Sequence, residues 1–95
     1  MAYDQLYFAA NKGVSSAWFW LGNVYMDGTW VTQDPDRAIE CYVKGAAKNN
    51  AYCFFELSRH YREGVIVEQS NYLAGKYLKG AAENGFVLAQ HMLGI

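Results

Sequence analysis

Cysteine is scarce in this sequence. Cys41 and Cys53 are the only two among 95 residues, too few for a disulfide framework. They read as two buried thiols in a reducing, cytoplasmic compartment, and spacing alone does not establish a bridge between them. Proline is scarcer still: Pro35 stands alone, so long stretches carry no helix breaker. Excess charge of one sign is also missing. Eight Lys and Arg oppose nine Asp and Glu, giving a net charge of −1. The basic patch of a nucleic-acid binder is therefore absent. No apolar run approaches the ~18 residues of a membrane-spanning helix, and no basic region followed by an apolar one opens the chain as a signal peptide would.

Catalytic signatures are missing too. Neither the phosphate-cradling Gly-x-x-x-x-Gly-Lys-Ser/Thr nor the zinc-binding His-Glu-x-x-His occurs. His60 and His91 stand at no recognised short spacing from the thiols. These absences lead to the expectation of a non-enzymatic chain with no cofactor and no metal.

Apolar side chains, by contrast, make up 53% of the sequence and aromatics 17%, ample for a core in one domain. They also repeat. Ala17-Trp18-Phe19-Trp20-Leu21-Gly22 matches Cys53-Phe54-Phe55-Glu56-Leu57-Ser58 36 positions later, and Ala89-Gln90-His91-Met92-Leu93-Gly94 after another 36. Tyr25 maps to Tyr61 and Gly28 to Gly64. A second block, Tyr42 to Asn50, matches Tyr77 to Gly85 at a spacing of 35, which implies a loop one residue shorter in the second copy. Tyr7 to Gly13 is an early copy of this block.

Each unit reads as two helices. Ala17, Leu21 and Tyr25 form a stripe at helical spacing. Gly28 and Gly64 mark helix ends, Asp34 is a natural N-cap with Pro35 behind it, and Ser70 caps the later counterpart. Six helices are expected, over about 3–12, 15–27, 35–49, 51–62, 70–84 and 86–95. The segmentation is a half repeat 1–14, repeats 15–50 and 51–85, and a half repeat 86–95. Leu21, Tyr25, Ala47, Leu57, Tyr61 and Ala82 are the expected core.

These residues resemble the Sel-one-like repeat family, a relative of the tetratricopeptide repeats. The resemblance rests on Ala17, Leu21, Gly22, Tyr25, Gly28, Val31, Asp34, Ala38, Tyr42, Ala46 and Ala47, with Leu57, Tyr61, Gly64, Val67, Tyr77, Ala81, Ala82 and Gly85 in the second copy. It implies an all-α, right-handed α/α superhelical solenoid whose first helices line a concave side, and an adaptor or scaffold role without catalytic residues. Some bacterial relatives join helices by disulfides. The corresponding pair here is Ala47 with Cys53, so that bridge is absent.

Stepping 100° per residue from Leu21 places Ala17, Trp18, Val24 and Tyr25 on the core side. Ser16, Phe19, Asn23 and Met26 fall opposite, and Tyr52, Phe55, Arg59 and Arg62 take the same places one repeat on. Leu88, His91 and Ile95 follow in the last helix. The expected site is therefore a groove for a peptide or helix of another protein. Phe19 and Phe55 would lie exposed side by side as anchors. Met26 and Tyr52 would flank them, and Asn23, Arg59, Arg62 and His91 would supply polar contacts. Trp20 is expected to pack against a neighbouring helix, and Trp30 to cover the edge of a junction plugged by Val31 and Val67. His60 takes the place of Val24, near the core. Glu40 and Lys44 form an i, i+4 pair on a solvated convex face. The alternative is a structural segment whose end faces, including Tyr3, Leu6, Tyr7, Met92 and Leu93, drive weak self-association while the groove stays empty.

Overall fold

The computed structural model describes residues 2–94. They form α1 (Ala2–Asn11), α2 (Ser15–Asp27), α3 (Pro35–Ala47), α4 (Ala51–Glu63), α5 (Asn71–Glu83) and α6 (Val87–Leu93), with no strand among the described residues. Each helix packs on the next, and α2 also touches α4 directly. No comparable packing joins α1 to α3 or α3 to α5. The first helices α2 and α4 therefore lie closer together than the second helices α1, α3 and α5 do. The result is an elongated helical repeat solenoid of 41 × 26 × 17 Å.

Local chemistry sets the helix ends. The Asp34 carboxylate accepts the Arg37 backbone N–H at 3.2 Å, with Pro35 in the first helical position. Ser70 Oγ accepts from Leu73 N–H at 3.1 Å, and Asn50 Oδ1 from Cys53 N–H at 3.0 Å. Helices α2 and α4 stop where Gly28 and Gly64 turn left-handed, at φ 69° and 68°. Asp34→Ala should cost ~1 kcal/mol of stability. Urea unfolding of the variant checks this, and an unchanged midpoint would show that water serves this exposed helix end equally well.

The period is 36 throughout, in the second helices as well as the first. The N-caps Asp34 and Ser70 are 36 apart, and so are the left-handed residues Gly13, Asn49 and Gly85. Gln33 Nε2 donates to the Met26 carbonyl, and Gln69 Nε2 to that of Arg62, again 36 on. The inter-helix loops are thus equal in length, and the 35-residue match between the second helices is out of register by one. Gly45-Ala46-Ala47 and Gly80-Ala81-Ala82 are similar runs of small residues used with a one-residue offset. Gly45 and Ala46 correspond to Ala81 and Ala82, and all four are buried. Ala47 corresponds to Glu83, and both are exposed, against the expectation that Ala47 is core.

Leu21 and Leu57 are fully buried, with Tyr25 and Ala82 close behind, whereas Tyr61 is half-buried. Gly22 is required by close approach: a Cβ there would lie 2.5 Å from a ring carbon of Tyr42. Tyr42 is buried at that spot. One repeat on, Ser58 replaces the glycine, and its hydroxyl donates to the Ala74 carbonyl at 2.8 Å. Val31 and Val67 pack on the core, as the junction-plug expectation requires. Both thiols are free and buried, and burial pushes Cys41 up to about 11 and Cys53 up to about 12.

Candidate binding face

Solvent reaches the first helices along one stripe. On α2 it runs through Ser16, Trp20, Asn23 and Asp27; on α4 through Tyr52, Glu56, Arg59 and Glu63; on α6 through Leu88 and Met92. These positions follow i, i+4, i+7, i+11, a single helical face. At the α2 end the stripe borders an open cavity of about 590 Å³, walled by Trp20, Trp30, Leu6 and Val24 with Asn23 and Asp27 at its polar side. Its lining is mainly apolar, the usual character of a recognition pocket. Trp20 is held by an edge-on contact with Phe19, 5.1 Å between ring centroids.

The polar groups of the stripe are arranged internally. Tyr42 Oη donates to Asn23 Oδ1 at 2.6 Å, which orients the amide and leaves its N–H groups for another acceptor. Arg59 lies between two carboxylates, 2.7 Å from Glu56 and 3.5 Å from Glu63. The hydrogen bond that Arg59 donates to the Glu56 carboxylate raises the guanidinium's pKa.

The family model of the Sel1 repeat matches residues 15–50 and 52–86, most of the chain. The chain belongs to the Sel1-repeat family. Among solved structures it is similar to a Sel1 repeat protein from Oxalobacter formigenes. That match has 31% identity and a TM-score of 0.89, and covers 95% of this chain and 68% of that one. It is also similar to c5321, a protective antigen of uropathogenic Escherichia coli strains displaying an SLR fold. Here the identity is 27% and the TM-score 0.87, over 98% of this chain and 20% of that one. Comparison with curated proteins gives no significant match. Sel1 repeats are in general protein–protein interaction modules.

The Sel1 face is rotated from the one expected. Phe19 and Phe55 are half-buried rather than exposed. Phe19 meets Tyr52 of the next repeat at 5.3 Å, and Phe55 meets Phe86 edge-on at 4.7 Å. Each ring plugs the junction to the following layer, which is why that flank of the helix is closed. Met26 likewise packs on the core. Asn23, Tyr52 and Arg59 stay on the open stripe, and Arg62 and His91 are exposed beside it. Ile95 lies outside the described residues. Trp20 and Trp30, expected to be packing residues, are 55% and 48% exposed and form the cavity walls. Trp18 is half-buried against the core, and Lys44 sits over its ring at 4.9 Å instead of pairing with Glu40.

His60 is buried beside this face, as its register with Val24 suggested. Its ring stacks on Tyr42, and Nε2 has no hydrogen-bond partner, lying 4.0 Å from Glu56. Burial, helped by the Arg59 charge and opposed by Glu56 and Glu63, lowers its pKa below the ordinary 6.5. Between the two pKa values the unfolded chain binds the extra proton. Stability is therefore complete above the unfolded value and falls as pH drops through the folded one. The melting temperature should decline below about pH 6.5, and His60→Val should flatten part of that decline. Equal slopes in the two proteins would contradict a neutral buried imidazole.

Proposed function

We propose that this Sel1-repeat chain is a non-enzymatic protein-binding module that receives an extended or helical segment of another protein along its first helices. The reading is carried by one observation. Two half-exposed indoles, Trp20 and Trp30, wall a cavity beside the α2 end of the exposed stripe. Large apolar surface left in water at a concavity is a mark of a recognition site, and tryptophan is among the residues that most often anchor one. The supporting geometry extends beyond the cavity. Tyr52 and Leu88, each at least half exposed, continue apolar surface along the same stripe. The N–H groups of Asn23 are left to meet a partner's carbonyl. Phe19, Phe55 and Met26 then act as the floor beneath the stripe, and Arg59, Arg62 and His91 as its polar margin.

The test is selection from a displayed peptide library, with the Trp20→Ala/Trp30→Ala double variant as the comparison. Sequences enriched on the parent should be lost on the variant while both proteins keep the same helical spectrum. Equal retention by the two would contradict the assignment.

A further inference from the structure

A separate surface lies on the second-helix side. Helices α1 and α3 are not packed together as each is on α2, which leaves a furrow between them with Trp18 and Tyr25 of α2 at its floor. Described helices bound the furrow on both sides. Its counterpart one repeat on, between α3 and α5, is open too: Ala47, Glu83 and Asn84 are exposed there, with α1 and α2 before them and α6 after. We propose that the C-terminal end of the α1–α3 furrow seats an acidic segment of a partner protein, the carboxylates of consecutive Glu or Asp residues meeting Lys12, Lys44 and Lys48.

At that end an open cavity of about 330 Å³ is bounded by Ala10, Asn11, Trp18, Lys44, Ala47 and Lys48, and its lining holds no carboxylate. Lys12 stands between two lining residues, Asn11 and Gly13, at the place Lys48 takes one repeat on. Lys44 lies over the Trp18 ring at 4.9 Å and Lys12 over Phe8 at 5.3 Å, contacts that hold the chains without neutralising them. Among the described residues no carboxylate is within ion-pair distance of these lysines. The other charges of α1 and α3 stand further back. Asp4 and Glu40 share one level, 36 residues apart, and Asp34, Asp36 and Arg37 belong to the start of α3. Charge is thus separated along the furrow, with the cations gathered at one end. Around that end the first turns of α2, α4 and α6 are uncharged, Lys79 and Glu83 of α5 offset each other, and Lys76 stands back at the level of Glu40. A local excess of uncompensated cations selects and orients an anionic partner. Cations also suit a helix C-terminus. The fold makes no such demand one layer on, where Gly80, Glu83 and Asn84 replace Lys44, Ala47 and Lys48 before an equivalent left-handed turn.

The test titrates the isotope-labelled chain with tetraglutamate, acetylated and amidated at its ends. The backbone N–H signals of Gly13 and Lys48 and the indole N–H of Trp18 should shift saturably, and the indole N–H of Trp20, on the first-helix stripe, should not. Blocked tetraglutamine should give no saturable shift. Lys44→Gln/Lys48→Gln, two exposed changes, should weaken the response about fivefold with an unaltered melt, and Lys79→Gln in the next layer less than about twofold. An equal loss on Lys79→Gln would show diffuse attraction and overturn the proposal. So would an equal response to tetraglutamine, or no saturable shift with tetraglutamate. Inorganic phosphate reproducing the shifts at the same concentration would mark a small-anion site and overturn the peptide assignment. The first-helix reading does not depend on these outcomes, because Trp20→Ala tests it separately.

Discussion

Leu57→Ala should lower the free energy of unfolding by ~2–5 kcal/mol. Leu57 is fully buried on α4, in the cluster that joins Leu21 and Tyr42 to Cys53. Truncation removes its transfer free energy and leaves a cavity that rigid neighbours cannot close. A 95-residue domain has ~5–14 kcal/mol of total stability, so the loss is a large share of it. In a solenoid each repeat holds only its neighbours, so a defect in the central layer weakens both sides. Urea unfolding should show a lower midpoint at unchanged slope. A loss below about 1 kcal/mol would mean that the first-helix stripe does not form the core.

The second large effect is on binding. Trp20→Ala should weaken a library-selected peptide by at least ~30-fold, the equivalent of ~2 kcal/mol for a central aromatic anchor. Trp20 is 55% exposed, so the change should leave the melt nearly untouched. Phe55→Ala is a different case. Its ring is half-buried against Phe86, so truncation should loosen the junction to α6 and reduce affinity only as a consequence.

Much of the fold was legible because the repeat carries its own punctuation. Gly28 and Gly64 end the first helices, and Asp34 and Ser70 start the second ones, each by a local backbone requirement that sequence displays directly. The second-helix register was harder. Runs of three small residues, Gly45–Ala47 and Gly80–Ala82, match equally well one step out of line, and only the packing decides which two are covered. Tyr42 and Tyr77 look equivalent for the same reason, yet they enter different interfaces. Tyr42 lies against Gly22, whereas Tyr77 lies against Phe54 and Tyr61.

The face was legible only in part. A helical wheel has one packing stripe, but a solenoid helix also meets the layer that follows, and that second contact hides Phe19, Phe55 and Met26. A signal for the true exposure was present: 36 residues after Trp20 stands Glu56, and 36 after Asp27 stands Glu63. Carboxylates at those registers mark a polar flank of the helix, although Glu56, ion-paired with Arg59, is less exposed than Trp20. The cavity wall supplied by Trp30 could not be read this way, because a loop residue has no periodicity to place it.

The most direct test of the account is calorimetric titration of one library-selected peptide into the parent chain, Trp20→Ala and Tyr72→Ala. Tyr72 is 77% exposed on α5, away from the first helices, and serves as the control. The account predicts at least ~30-fold weaker binding for Trp20→Ala and less than about twofold change for Tyr72→Ala, with all three melts alike. Parent affinity retained by Trp20→Ala, or an equal loss in both variants, would contradict it.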